Sequence, residues 1–171
     1  VAGGWRPEAT PKSRSASGET MGTSYAVTTV GGPDELDQAA VQAAIDTALT
    51  RVNGAMNNWD PDSEVSRFNA ASSTDPVSIA PDFVTVMAAT DAIHNASDGA
   101  FDVTLAPLIE LWGFGPRTPE SPVPSDEEIA AAKAHVGQDR LLTISEQSGT
   151  LAKFDPGVSV NLSAIAKGHG V

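Results

Sequence analysis

The hydrophobic positions change period several times along the chain, and each change marks an element. Val41, Ile45, Ala48, Leu49, Val52 and Met56 recur at helical spacing, which predicts a helix from Asp34 to about Asn57 with one apolar face. Asp34, Glu35 and Asp37 stand at its start, where the helix dipole favours negative charge. Before it, "SYAVTTV" from Ser24 is rich in Thr, Val and Tyr and predicts a first strand, ended by Gly31-Gly32-Pro33. After it, "WDPDSEVSRFNAASSTDP" reads as a loop with one helical turn capped by Ser63, followed by a short strand at Val77–Ile79. Pro81 suits the first turn of a second helix, with Asp82 beside it, Phe83, Met87 and Ile93 on one face, and a break at Gly99.

Farther on, "VTLAPLIELWGFG" reads as a buried apolar segment ended by Gly113, Gly115 and Pro116, and "TPESPVP" as a surface linker. Ser125 and Glu128 have the spacing of a capping box for a helix running to about His135, with Gly137 just beyond it. "RLLTISEQSGTLAKF" holds two strand-like runs about Ser148-Gly149 and predicts a hairpin. A last strand is expected over Val158–Leu162, with helix-compatible residues from near Ser163. Residues 1–17 are polar and rich in Pro, Gly and Ser, so a flexible N-terminal arm is expected there, with a domain over 18–171. The layout predicts an α+β fold, helices packed on a mixed, partly antiparallel sheet.

Composition narrows the chemistry. The chain has 171 residues, 40% of them hydrophobic, enough for a packed core. Its formal charge of -12 argues against nucleic acid or an anionic membrane surface as partner, because both need a basic face. A small anion remains possible, held by a lysine, a metal ion and backbone N–H groups. There is no cysteine, so thiol and Cys-zinc chemistry are excluded for these residues. No apolar run is long enough to cross a membrane. The start at Val1 rather than Met suggests a processed N-terminus. His94, His135 and His169 lack metal-ligand spacing, and neither a Walker A motif nor G-x-G-x-x-G is present.

Four segments stand out against a purely structural reading. In "GETMGTSY" glycines flank Met21, which lets backbone approach a ligand closely; a plain β-turn with Met21 filling the core fits equally well. In "MNNWDPDSEVSRFN" Trp59 follows two asparagines, where its ring either stacks on a planar ligand or covers the helix end. In "DGAFDVTLAPLIELWGFG" Asp102 lies among apolar residues and needs a partner, either a ligand or a nearby N–H that it caps. In "GVSVNLSAIAKGHGV" a helix starting at Ser163 would turn its free N–H groups and Lys167 toward an anion, or simply leave the lysine in water.

In order and spacing, "ETMGTSY", "PDSEVSRFN", "GAFDVTLAPLIELWGFG" and "NLSAIAKGHGV" resemble the ApbE family of FAD:protein FMN transferases, from about Gly18 to the end. The resemblance implies an α+β fold with a flavin cleft, and an Mg²⁺-assisted transfer of FMN from FAD to a threonine hydroxyl of a target protein, releasing AMP. It implies FAD contacts at Met21, Trp59, Ala100, Phe101, Asp102, Asn161 and Lys167, and a metal contact through the backbone carbonyl of Ala164. It carries no catalytic residue onto this chain. Asn161 stands where the family usually has aspartate, and the family's remaining metal ligands, an Asp and a Thr, are expected on a later segment, so the chain is read as the N-terminal part of such an enzyme. A FAD pyrophosphatase giving FMN and AMP, or a flavin-binding module without catalysis, stays open. The resemblance also implies a periplasmic or cell-envelope location, with membrane anchoring through a removed N-terminus.

Overall fold

The computed structural model describes residues 11–33, 37–114 and 123–171. Two compact units divide the chain, Val1–Thr50 and Arg51–Val171. In the first, β1 (Ser13–Thr20) and β2 (Thr23–Val30) form an antiparallel hairpin in which Ser13 faces Val30 and Thr20 faces Thr23. β1 thus crosses the boundary expected between arm and domain at Ser17, and the strand expected from Ser24 is the second of a pair. Arg14 and Ala16 are the buried positions of β1, and Arg14 donates to the carbonyls of Gly31 (2.9 Å) and Pro33 (3.3 Å). Gly18 lies opposite Tyr25, and a Cβ there would sit 2.9 Å from the tyrosine ring, so a side chain at this position would push the ring aside.

Helix α1 (Gln38–Met56) begins after Asp37, whose Oδ1 accepts from the Ala40 N–H at 2.7 Å. Asp34 and Glu35 lie outside the described residues. The expected apolar face holds: Val41, Val52 and Met56 are buried, and Ile45, Ala48 and Leu49 are partly so.

In the second unit, α2 (Glu64–Ala70) is capped by Ser63, whose Oγ accepts from the Ser66 N–H. β3 (Val77–Ser78) leads into α3 (Pro81–Ala96), which buries Phe83, Val86, Met87 and Thr90. Ile93, expected on that face, is exposed. A short 3₁₀ turn, Val103–Leu105, runs into α4 (Ala106–Leu111), and here the expectation of a buried segment fails at its end. Val103, Thr104 and Ala106 are buried, whereas Trp112 and Phe114 are 51% and 74% exposed. Gly115, Pro116 and most of the predicted linker lie outside the described residues.

Helix α5 (Asp126–Ala134) has both bonds of the predicted capping box, Glu128 N–H to Ser125 Oγ and Ser125 N–H to Glu128 Oε2. After α6 (Gln138–Leu141), β4 (Leu142–Ser145) and β5 (Thr150–Lys153) make the predicted hairpin. The sheet order is β3-β5-β4, and every strand pair among the described residues is antiparallel. The chain closes with α7 (Ala166–Gly170), so helix begins three residues later than Ser163. Helices on small antiparallel sheets make the fold α+β, as expected.

Candidate functional site

Segment 158–162 has strand-like alternation, with Val158, Val160 and Leu162 fully buried, yet it joins no ladder. Its backbone groups are met mostly by side chains. Asn69 accepts from the Val160 N–H (2.7 Å) and donates to the Val160 carbonyl (2.9 Å), as a neighbouring strand would. Asn58 donates to the same carbonyl (2.7 Å) and accepts from the Leu162 N–H (3.0 Å). The Asn161 N–H reaches the Val103 carbonyl at 2.8 Å. The expectation of a last strand is therefore corrected: the conformation is extended, and asparagines replace the partner strand.

Because side chains alternate along an extended segment, burying residues 158, 160 and 162 turns Ser159 and Asn161 the other way. Both line a cleft of about 490 Å³, together with Asn58, Trp59, Asn69 and Phe114. Ile109 and Glu110 of α4 line it as well. This volume falls within the range of ligand pockets, about 300–1,000 Å³.

The two asparagines before Trp59 have separate tasks. Asn57 Oδ1 accepts from the Trp59 N–H (3.0 Å), and the Asn57 carbonyl accepts from Ser63 Oγ (2.8 Å), which fixes the turn. Asn58 ties the turn to segment 158–162. Trp59 is 70% exposed and lines the cleft, so most of its side chain is left open rather than packed over a helix end.

Asp102 takes the capping arrangement. Its Oδ1 accepts from the Thr104 N–H (2.7 Å) and hydroxyl, and its Oδ2 accepts from the Gln138 N–H (3.0 Å). Gln138, buried and unmarked in the sequence, also accepts from the Val103 N–H (3.3 Å) and donates to Thr90 (3.3 Å) and Asp91. This network holds the entrance of α4 in place. Upstream, Asp98 and Gly99 take positive φ (51° and 79°). His94 Nδ1 bonds the Phe101 carbonyl at 2.7 Å, Phe101 is half-buried and Ala100 is exposed.

Asn161 Oδ1 accepts from the Ser163 N–H (2.9 Å), and Leu162 O accepts from both Ile165 and Ala166 N–H groups. Residues 163–165 are thereby spent on a turn, which is why no helix begins at Ser163. The turn leaves Ala164 exposed, and no donor among the described residues reaches its carbonyl. Lys167 is exposed and has no hydrogen bond or ion pair among the described residues.

Met21 belongs to the first unit. It and Gly22 form the two-residue hairpin turn, with φ of 50° and 69°. Positive φ at Gly22 costs nothing, whereas at methionine it is uncommon. Met21 is half-exposed and so is not core filling.

Beneath the cleft wall lies Lys153, 1% exposed. Its Nζ donates to the carbonyls of Asn69, Pro156 and Val158, each at 3.2 Å, and stands 5.2 Å from the centre of the Phe68 ring. Burial pulls its pKa below the ordinary 10.5, against an opposing pull from Asp155. Nothing in the sequence singles out Lys153, because a lysine in a short strand normally reads as exposed.

The family model "ApbE family" matches residues 21–171. The chain belongs to the ApbE family. It is 41% identical over 155 residues to a FAD:protein FMN transferase of Vibrio cholerae serotype O1, covering 91% of this chain and 46% of that one. A second relative with the same description, from Haemophilus influenzae, is 39% identical over 166 residues, covering 92% and 46%. The chain thus spans about half the length of these curated relatives. Among solved structures, flavin transferase ApbE from Vibrio cholerae superposes with a TM-score of 0.87 at 40% identity, covering 94% of this chain and 51% of its own. The apo form of Pseudomonas stutzeri flavinyl transferase ApbE gives 0.86 at 32% identity, covering 97% and 52%.

Proposed function

We propose that this chain supplies much of the FAD site of a flavin transferase that moves FMN from FAD to a threonine hydroxyl of a target protein, releasing AMP. The observation that carries the reading is the cleft lined by both Trp59 and Asn161, two positions at which family resemblance implies flavin contacts. The relatives' description as FAD:protein FMN transferases adds to it.

In this reaction the threonine oxygen attacks the FMN-side phosphorus of the pyrophosphate and forms a phosphoester. The bond from that phosphorus to the bridging oxygen breaks, AMP departs with the oxygen, and the hydroxyl proton passes to solvent or a base. Trp59 offers a face on which a planar ring stacks. Lys167, exposed and unpaired among the described residues, supplies positive charge for the phosphates in a chain of net charge -12. The unbonded Ala164 carbonyl suits an oxygen-preferring Mg²⁺ as one ligand. Among the described residues no group of three His, Cys, Asp or Glu is placed to complete its shell. When bound, such an ion neutralises charge on the phosphoryl oxygens. A cell-envelope location, with threonine-bearing proteins there as acceptors, belongs to the same proposal.

The test is an assay of the protein as its gene encodes it, with FAD, Mg²⁺ and a threonine-bearing acceptor. Flavin-labelled acceptor and AMP should appear in equal amounts, and AMP should stop when the acceptor is left out. AMP and FMN at an unchanged rate without acceptor would show a hydrolase instead, and FAD bound without turnover would show a binding module.

Asn161 offers a narrower check. Asn161→Asp keeps the oxygen that accepts from the Ser163 N–H, so stability should stay within about 0.5 kcal/mol and FAD should bind as well or better. A large loss of affinity in titration would mean that the amide nitrogen itself donates to the ligand.

A further inference from the structure

Segment 158–162 presents an unusual problem of register. A strand held by a ladder has its register set by many backbone bonds, and a slip of one residue would exchange its two faces. Here such a slip would bury Ser159 and Asn161 and turn Val160 toward the cleft. Asn58 and Asn69 fix the middle and end of the segment, but Asn69 is itself near the end of α2, a helix of only seven residues. Beside the bond from the Val158 N–H to the Asp155 carbonyl, Lys153 holds both Asn69 and the start of the segment.

An ammonium has three N–H donors, and those of Lys153 go to three carbonyls. One belongs to Asn69 in the last turn of α2, where the helix dipole favours a cation. The other two, of Pro156 and Val158, belong to the turn that opens the wall. The side chain comes from the end of β5, so one buried group joins sheet, helix end and wall. The Phe68 ring adds a cation–π face. A buried lysine is costly, and leaving these carbonyls unpaired would also be costly, so the arrangement is specific and not interchangeable with an apolar residue.

We infer that Lys153 is a positioning residue: its buried ammonium clamps the Asn69 carbonyl to the 156–158 turn and thereby sets the register in which Ser159 and Asn161 face the ligand cleft. Its effect on flavin binding rests on the function proposed above; its effect on the wall does not.

The experiment compares wild type with Lys153→Met in the gene-encoded protein, since methionine keeps an unbranched apolar stem and removes every donor. Amide exchange at Val160 and Leu162 should accelerate at least tenfold, with α3 amides changing less than threefold. The KM for FAD should rise at least tenfold at saturable kcat, and the FAD dissociation constant by a similar factor. Unchanged exchange at Val160 and Leu162 would overturn the clamp, as would unchanged FAD affinity in an enzyme that binds FAD. Acceleration that is uniform across α3 and the wall would also overturn it, because that is plain destabilisation. If wild type binds no FAD, the flavin reading fails and the exchange measurement still decides the clamp. If Lys153→Met does not fold, Lys153→Gln keeps only two N–H donors for the three carbonyls and should accelerate exchange at Val160 and Leu162 by a smaller factor; full protection kept there would overturn the inference.

Discussion

Leu162→Ala should lower the free energy of unfolding by about 2–5 kcal/mol, read as a shift of the urea midpoint at constant slope. The side chain is fully buried, and alanine would leave a cavity under a wall already lacking a partner strand. The flanking bonds restrict collapse around that cavity. Leu162 N–H is held by Asn58, and its carbonyl takes both the Ile165 and Ala166 N–H groups. A site that cannot relax pays toward the upper end of the range. The same substitution should weaken FAD binding, because the residue before Leu162 is Asn161 and the residue after it opens the turn toward Lys167. A loss below about 1 kcal/mol would mean the wall repacks freely, and the idea of a fixed register would fail with it.

Why the wall was only half legible in the sequence follows from its bonding. The alternation of Val158, Val160 and Leu162 correctly announces an extended segment with one buried face. Periodicity carries no information about which donors will pair with that backbone, and here the donors are asparagines 91 and 102 residues away in sequence. The later helix start has a similar cause: Asn161 captures the Ser163 N–H, a local competition that propensity does not weigh. Elements defined by short-range signals are legible in the sequence. The α1 face, the Ser63 cap, the Ser125–Glu128 box and the turn at Ser148-Gly149 each depend on neighbours within a few residues. β1 escaped because its inward positions are Arg14 and Ala16 rather than large apolar residues, so "SRSAS" looks like a polar tail. At the other extreme, "LWGF" is apolar enough to predict burial, yet Trp112 and Phe114 are exposed, and Phe114 lines the cleft. The loop setting of Trp59 marks it in the sequence, whereas a flavin contact at Trp59 or Asn161 is implied by family resemblance and not by periodicity. Asn58, Asn69, Gln138 and Lys153 escaped both, since their work is to hold other residues.

Lys167→Ala should separate binding from folding more sharply than any other change. The ammonium is exposed and makes no bond among the described residues, so its loss should leave stability within about 0.5 kcal/mol of wild type. Toward a bound pyrophosphate the same group would make a charge-assisted bond, for which roughly 1.5–3 kcal/mol is typical. That corresponds to about a tenfold to hundredfold weaker FAD affinity. The position favours a large effect, because α7 is too short to offer much dipole of its own and the chain's net charge repels the ligand. Screening gives an independent check. The affinity gap between wild type and Lys167→Ala should narrow as salt rises from low to near 1 M, where the Debye length falls to about 3 Å. Lys167→Arg should retain most of the charge contribution but tolerate the site less well if the ammonium acts as a compact point charge. Equal FAD affinity in wild type and Lys167→Ala at low salt would remove Lys167 from the site and leave it as a solvated end of α7.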